Sequence, residues 1–475
     1  MAYRYGQRKQ TAMLPASIED YVGGDAPVRA YDAFVEALDF KRLGILEDAD
    51  QEGCPRYEPK AMMKLLVYGY SYGVRSSRKL EREAHYNLSF IWLMGGLKPD
   101  HKTIAEFRRG NRGALAGVLR QCARMCMGLG LIAGNTLFVD GSKVRANASV
   151  KNSWTKEKCR KVLRKVDRRI EEIIKESEGV DAAEAGEGSL VRMREELKGK
   201  QALRERVAEV MAELERSGEA QINTTDRDSK VMRSLQGKHA SYNVQSVVDE
   251  KHGLIVSGDV VGENNDSGQF AKQVQGATEV LGKACQVACA DSGYANTEEL
   301  EKAAKENIRV IVPSQEQALH GEKKPFLKSE FRYDREGDYY LCPEGQRLRY
   351  RGWNRRKRMK VYNVASGTCQ ACRHFGVCTK SREGRKVTRL HNEEMKEAFE
   401  TEYARPESQA IYRLRKQKVE LPFGHIKKNL GVGGFLLRGR AGVKAEWSLL
   451  ASCFNVARMI TLLGVPGIMA ELRGG

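Results

Sequence analysis

Apolar side chains recur at helical spacing in the first quarter of the chain. Between residues 57 and 110 the pattern predicts three short helices, the first of them beginning near Pro59. Basic residues lie at the turns, and Arg108 and Arg109 lie near the end of the third helix. This arrangement is typical of a helix-turn-helix DNA reader, although a helical packing or dimerisation domain explains the same residues. We predict a helical DNA-binding domain over 1–130, with Arg108 and Arg109 as DNA contacts.

The apolar pattern changes to that of strands at residue 136. The run TLFVDGSKV predicts a buried strand that ends in an acidic residue, Asp140, and a turn. Helical patterns separate it from later strand patterns, which lie at Tyr242–Val248, Leu254–Val261, Gln286–Ala290 and Arg309–Val312. Strands that alternate with helices predict an α/β core. We expect the first part of this core over 131–320.

A long charged segment interrupts the predicted core at 155–217. Val162, Val166, Ile170 and Ile173 recur at helical spacing. A second series with the same spacing follows a loop at 176–189 that is rich in Gly, Ala and acidic residues. The segment therefore predicts an inserted helical hairpin. Its charges are most simply a solvated face.

The last third of the chain divides into two predicted parts. Residues 321–390 are basic and contain cysteines, so we predict an insertion there. A long helix is expected from about Asn392, and an apolar helix over 443–463 ends the C-terminal part of the core, 391–475.

The charge balance points to a polyanionic partner. The 475 residues include 81 Lys and Arg against 62 Asp and Glu, a formal net charge of +19. Neutralising phosphates releases condensed counterions, so such an excess favours nucleic acid, although ribosomal and membrane-surface proteins are equally basic. We expect no signal peptide and no membrane span, because the most apolar helix contains Asn455 and Arg458. A cytoplasmic, nucleoid-associated location is expected.

Three acidic residues have unusual surroundings. Asp140 and Asp291 each follow an apolar run, and Glu420 lies in a strongly basic helical segment. Carboxylates that converge from such positions could hold two Mg²⁺ or Mn²⁺ ions for in-line phosphoryl displacement. The simpler explanation is that the aspartates serve turns or helix caps and that Glu420 pairs with Lys416.

Several blocks of the sequence resemble a known family. FVDGSKVRANAS (138–149), ADSGYANTEEL (290–300) and VELPFGHIKKNLG (419–431) look like the three signature blocks of bacterial insertion-sequence transposases with an RNase H-like catalytic core. The segment 239–268 resembles the paired strands between the first two acids of that family. Residues 57–110, above all PDHKTIAEFRR (99–109), resemble its N-terminal domain.

The resemblance implies a DDE transposase with Asp140, Asp291 and Glu420 as catalytic, metal-binding acids. Lys427 would match the Lys of a Tyr-x2-Arg-x3-Glu-x6-Lys signature, whose Tyr and Arg positions hold Arg413 and Lys416 here; Tyr412 and Arg415 match after a one-residue shift. Lys416, Lys427 and Lys428 would bind phosphates. The implied reaction is hydrolysis at the ends of a mobile element, followed by attack of the 3′-OH on target DNA. A homodimer on DNA that carries terminal inverted repeats is expected.

Two further groups of residues are candidates for binding. Cys342, Cys369, Cys372 and Cys378 could form a structural Zn²⁺ site, although separate thiols are the alternative, and His374 is a substitute ligand. The neighbouring RGWNRRKRMK (351–360), with Arg355 and Arg356, is either a contact for the DNA backbone or a solvated loop.

Two other functions fit part of the sequence. A non-catalytic DNA-binding repressor derived from a transposase would need no acidic triad. An RNase H-like nuclease would cleave without strand transfer.

Overall fold

A computed structural model describes residues 17–45, 56–182, 187–234, 237–318, 325–356 and 358–473. The chain forms two compact units. The first contains Met1–Asn265, Gly276–Lys283 and Gln417–Gly475. The second contains Asp266–Gln275 and Ala284–Lys416.

Fourteen helices lie in the described ranges. In chain order, α1 to α7 are Pro27–Glu36, Phe40–Leu43, Pro59–Ser71, Ser77–Tyr86, Leu88–Leu93, His101–Gly110 and Arg112–Gly128. Helices α8 to α14 are Lys156–Ala182, Glu187–Ser217, Phe270–Leu281, Thr297–Ala304, Glu393–Ala404, Pro406–Lys428 and Arg440–Arg473.

The same ranges contain thirteen strands. Strands β1 to β6 are Thr136–Arg145, Ser153–Trp154, Ile222–Asn223, Lys230–Ser234, Gly237–Asp249 and Ile255–Val261. Strands β7 to β13 are Val287–Cys289, Arg309–Ile311, Arg332–Asp334, Tyr339–Leu341, Arg347–Asn354, Met359–Asn363 and Lys386–Leu390. The prediction of an α/β protein with an N-terminal helical region is confirmed.

Helix α14 lies at the centre of the first unit. It packs against α1, α3, α7 and strand β6. The predicted apolar face of α3 points inward, with Met62, Met63, Leu65, Leu66 and Tyr70 all buried. The N-terminal helices and the sheet therefore share one hydrophobic core, which local sequence patterns did not indicate.

The sheet of the first unit is antiparallel around β5. Strand β1 pairs with one edge of β5, and β4 and β6 share its other edge. The side-chain amide of Asn455 in α14 accepts a hydrogen bond from Ile255 N at 2.9 Å and donates one to Ile255 O at 2.8 Å. It satisfies the backbone of β6 on the side away from β5. Gly258 in β6 lets Trp447 of α14 approach the sheet, because a Cβ at this position would collide with the indole.

The predicted helical hairpin is confirmed as α8 and α9. Its core contains Cys159, Val207, Val210, Leu214 and Ile222. Outside this core, Arg169 of α8 forms a two-pronged ion pair with Glu196 of α9, with distances of 3.0 and 3.1 Å. The helices are longer than predicted, since α8 reaches Ala182 and α9 begins at Glu187. Of the loop predicted at 176–189, residues 183–186 lie outside the described ranges.

The second unit contains a parallel pair of strands and a separate antiparallel sheet. Strands β7 and β8 are parallel, as expected from the helix α11 between them. The predicted insertion contains a five-stranded antiparallel sheet in the order β13-β12-β11-β10-β9. Its core is small and consists of Phe331, Tyr340, Leu348, Tyr362, Val364 and Val387.

One described helix, α14, is long and apolar enough over Arg440–Leu472 to cross a membrane by length and composition alone. About 61% of its most apolar window is buried inside the protein. Core helices of folded domains pass the same test, and the packing of α14 on its neighbours is that of a core helix.

Candidate active site

Asp140 lies in the middle of a strand. The prediction that the strand ends at Asp140 is wrong, because β1 continues to Arg145 and pairs with β5 along its whole length from Leu137. Since side chains alternate along a strand, Asp140 and Ser142 lie on the same face of the sheet. Asp140 is partly exposed there.

Helix α13 contributes a lysine to this face. Lys427 Nζ donates a hydrogen bond to Ser142 Oγ at 2.6 Å. Desolvation lowers the pKa of Lys427, and the nearby Asp140 carboxylate raises it. A cation from the C-terminal part of the chain is thus held beside the first predicted acid.

Glu420 shares the exposed face of α13 with Lys427. Positions separated by four and seven residues fall on one side of a helix, so Glu420, Gly424 and Lys427 form a stripe. The side next to Lys427 packs on α14, where Phe423 stacks on Trp447 with ring centroids 5.8 Å apart. Pro422 is buried and does not interrupt the helix. The stripe is open at its centre, since a Cβ at Gly424 would meet no atom within 4 Å.

The simpler explanation for Glu420, an ion pair with Lys416, does not hold. Both side chains are exposed, and in the described part of the chain they form no ion pair with each other.

Asp291, in the second unit, follows β7 and caps a short 3₁₀ helix. Its Oδ1 accepts a hydrogen bond from Gly293 N at 2.8 Å. Asp291 therefore caps a helix, as the simpler explanation for the aspartates predicted. Its Oδ2 lies 4.0 Å from Arg415 Nη2. The Arg415 guanidinium is also 5.6 Å from the centre of the Tyr412 ring. These contacts favour Tyr412 and Arg415 over Arg413 and Lys416 as the counterparts of the family signature.

Gly293 keeps the turn around Asp291 open. A Cβ at this position would lie 2.9 Å from Asp291 Oδ1 and 3.9 Å from Asp266 Oδ2. Two carboxylates therefore approach the same glycine. Asp266 lies before α10, which begins at Phe270, and no sequence pattern indicated a second acid near Asp291.

The donor atoms fit a hard divalent cation. Carboxylate oxygens are the preferred ligands of Mg²⁺ and Mn²⁺, and the Asp291 side chain is 38% exposed. Among the described residues, however, no three His, Cys, Asp or Glu side chains are gathered as a formed metal site. Asp140 and Glu420 belong to the first unit and Asp291 to the second. Their convergence on shared metal ions stays a prediction.

Of the basic residues expected to bind DNA, Arg108 is placed differently. It is only 6% exposed, and its guanidinium donates to Arg75 O at 2.7 Å, to Tyr70 Oη at 3.3 Å and to Ser77 Oγ. Arg108 therefore links helices α3, α4 and α6 from inside, and the prediction that it contacts DNA is wrong. Its neighbour Arg109 is exposed and pairs with Glu106 at 3.0 Å.

The other predicted DNA contacts lie at the surface. Lys416 and Lys428 are exposed on α13, and Arg355 and Arg356 are exposed at the end of β11. Trp353 is exposed on the same strand. Lys357 lies outside the described residues. These positions remain candidate phosphate contacts.

The four cysteines of the insertion line one small cavity. Cys342, Cys369, Cys372 and Cys378 share it with His374. His374 is held by Glu344, with Nε2 3.2 Å from Oε1, and packs on Phe326.

Two protein families match the chain. The family described as Transposase DDE domain matches residues 341–460, and the family described as Transposase domain matches residues 16–110. The chain is an insertion-sequence DDE transposase. A search of curated proteins finds no significant match.

The two family matches cover only some of the candidate site residues. In this transposase the DDE match covers Tyr412, Arg415, Glu420, Lys427 and the four cysteines of the insertion, whereas Asp140 and Asp291 lie outside both matches. The family identifies the substrate as DNA, and DDE transposases generally use divalent metal ions.

Proposed function

We propose that this transposase cleaves DNA at the ends of its element and transfers the resulting 3′-OH strand into target DNA. The observation that carries the proposal is the bond between Lys427 and Ser142. It holds one stripe of α13, which also carries Glu420, against the strand that carries Asp140. Two carboxylates and a phosphate-binding cation then belong to one face of the first unit, which is the residue set that phosphoryl transfer requires.

Asp140, Asp291 and Glu420 would hold two divalent ions. When bound, these ions supply charge neutralisation at the attacking and leaving oxygens of the phosphodiester. The protein residues have separate tasks. Lys427 binds a non-bridging phosphate oxygen and is oriented by Ser142, whereas Arg415 holds the Asp291 carboxylate in place through charge.

The partners would be double-stranded DNA with terminal inverted repeats and target DNA. Exposed Lys416, Lys428, Arg355, Arg356 and Arg109 would contact the backbone, which positions the duplex without reading its sequence. Pairing two element ends requires two active sites, so we propose a homodimer on DNA. A cytoplasmic, nucleoid-associated location follows from this substrate.

The test uses oligonucleotides that carry the element end, with Mg²⁺ or Mn²⁺, and measures cleavage and strand joining separately. We expect Asp140→Asn, Asp291→Asn and Glu420→Gln each to reduce both activities by at least about 10³-fold, because each removes a metal ligand. Matched controls are Glu407→Gln, at the exposed start of the same helix, and Asp167→Asn in α8. The controls should retain wild-type rates.

The alternatives give different results in the same assay. Joining at wild-type rates in any of the three acid variants would refute its assignment. Binding that resists chelation without any cleavage would indicate a repressor. Cleavage without joining, by a wild-type protein given target DNA, would indicate a nuclease.

A further inference from the structure

The cysteine-bearing insertion contains a cavity of about 30 Å³, which has room for one ion. Four thiols come to it from two loops. Cys342 follows β10, and Cys369, Cys372 and Cys378 lie between β12 and β13. The three-dimensional fold, and not sequence proximity alone, brings Cys342 to the other three.

The loop around Cys342 is shaped to present a sulfur atom. Gly345 N donates to Cys342 O at 2.8 Å, closing a turn in which Gly345 has a φ of +76°. Gln346 N then donates to Cys342 Sγ at 3.3 Å. A backbone N–H directed at a sulfur stabilises a thiolate more than a thiol, because the charged form is the stronger acceptor.

The loop around Cys369 has the same feature. Arg385 N donates to Cys369 Sγ at 3.4 Å, and the Arg385 guanidinium donates to Cys378 O at 3.2 Å and to Phe326 O at 2.8 Å. A cation is therefore fixed beside the four sulfurs. Gly384, at a φ of +86°, lets this loop pass close to Val364, since a Cβ there would collide with the valine side chain.

The four thiols and Arg385 line the same cavity. Four thiolates brought together there would need a divalent cation to balance their charge. The sheet also has a small core of six buried residues, against which Cys342, Cys369 and Cys378 pack. Small cores of this kind commonly need a crosslink or a metal.

We propose that Cys342, Cys369, Cys372 and Cys378 bind one structural Zn²⁺ that holds the insertion together. The four sulfurs line the cavity, but they are too far apart to coordinate one ion as they stand. Binding therefore requires side-chain rotations that bring each sulfur to about 2.3 Å from the ion. Four S–H bonds break, four Zn–S bonds form and four protons pass to solvent, with no change in oxidation state. His374 stays with Glu344 and is not a ligand.

The experiment measures metal in the full-length protein, purified under reducing conditions without chelator. We expect about one zinc per chain by elemental analysis, as a four-coordinate site requires. After removal of the metal, Co²⁺ should produce the intense thiolate-to-cobalt charge-transfer absorption. Cys342→Ser and the Cys369→Ser/Cys372→Ser double variant should lose most of this band and most of the zinc.

Two variants serve as controls. Cys285→Ala replaces a buried cysteine of the same unit outside the cavity, and His374→Asn removes the imidazole; both should keep the full band. Wild-type protein without stoichiometric metal or the cobalt band, or with a disulfide among these cysteines, overturns the proposal. So does undiminished binding in the double variant. Because no DNA is involved, these outcomes are independent of whether the protein cleaves DNA.

Discussion

Lys427 Nζ and Ser142 Oγ are 2.6 Å apart although 285 residues separate them in the chain. The bond joins the exposed stripe of α13 to the strand of Asp140. It also leaves two further N–H groups on the ammonium, which can reach a phosphate.

Replacing Lys427 by alanine should reduce cleavage by roughly 10- to 100-fold, because a charge-assisted contact to the phosphate is lost. Ser142→Ala should cause a smaller loss of the same kind, since the lysine remains but is no longer oriented. The measurement is the single-turnover cleavage rate on pre-bound DNA. Lys302→Ala is the control, because this exposed lysine of α11 pairs with Glu299 and is not a predicted DNA contact. Equal effects at 427 and 302 would mean that only general charge matters.

Gly424 leaves open space at the centre of the stripe on α13. We expect this space, and not the flexibility of the glycine backbone, to matter for cleavage. Gly424→Ala should raise helix stability by up to about 1 kcal/mol, because glycine is a poor helix former and a Cβ there meets nothing within 4 Å. Its cleavage rate should be unchanged. Gly424→Phe should instead fill the open centre of the stripe and abolish cleavage while the thermal unfolding temperature stays near that of wild type. An active phenylalanine variant would show that DNA does not approach this stripe.

Adding a methyl group at Gly293 should disturb Asp291 directly. The new Cβ would lie 2.9 Å from Asp291 Oδ1, so the carboxylate must rotate out of its cap. We expect Gly293→Ala to lower the cleavage rate by at least about tenfold, equivalent to ~1.4 kcal/mol of transition-state stabilisation. Gly268→Ala is the matched control, since its Cβ would meet no atom within 4 Å. A fully active Gly293→Ala protein would argue against Asp291 as a metal ligand.

The buried pair of Arg75 and Glu446 should dominate the stability of the first unit. Glu446 is fully buried and accepts bonds from Arg75 Nη1 at 2.8 Å and from the backbone N–H groups of Leu436 and Leu437. Arg75→Leu leaves this carboxylate without its cation and should cost about 3–5 kcal/mol in urea unfolding. The double variant with Glu446→Gln should recover part of that loss, and no recovery would mean that Arg75 acts mainly by packing.

The same pair gives a pH dependence with a definite sign. Burial raises the pKa of Glu446 above its ordinary value of 4.5. Between the two values the folded protein binds a proton that the unfolded chain does not, so this contribution to stability grows as the pH falls through that window. Arg75→Leu should show a steeper rise in stability on acidification than wild type, whereas Glu446→Gln should remove the dependence.

Asp338 should give the opposite pH dependence in the insertion. Partial burial raises the pKa of Asp338, but hydrogen bonds from Tyr333, Tyr362 and Lys360 outweigh it and lower the pKa from 3.8 to about 2. The stabilisation is therefore present above pH 3.8 and is lost as the pH falls towards 2. Hydrogen exchange of strands β9 to β12 should report this loss in wild type. Asp338→Asn should show weaker protection at neutral pH and a flat profile on acidification.

Sequence patterns predicted the elements well where one local signal decided the structure. Val207, Val210 and Leu214 recur at helical spacing, and all three are buried in the hairpin core. The strands predicted between 254 and 312 likewise appear within one residue of their predicted bounds, whereas β5 begins at Gly237, five residues before the predicted Tyr242. In both cases the buried face of the element is determined by residues that are close together in the sequence.

The wrong predictions concern residues whose role depends on which side of a helix or strand they occupy. Arg108 follows Ile104 by four residues, so the two share the buried side of α6, and this spacing could have distinguished Arg108 from the exposed Arg109. The strand after Asp140 continues because β1 remains paired with β5 as far as Arg145. The Arg75–Glu446 pair spans 371 residues, and no local pattern encodes such a partner.

The side-chain amide of Asn455 hydrogen-bonds the backbone of β6, although it is synthesised 200 residues after Ile255. The order of synthesis therefore affects when this part of the sheet can form. Strands β1, β5 and β6 leave the ribosome long before α13 and α14. Yet Lys427 bonds the Ser142 side chain of β1, and Asn455 bonds the backbone of β6. A nascent polypeptide therefore holds Asp140 without its lysine partner and with an unfinished sheet edge. This face of the first unit would be complete only after the residues of α13 and α14 have been translated.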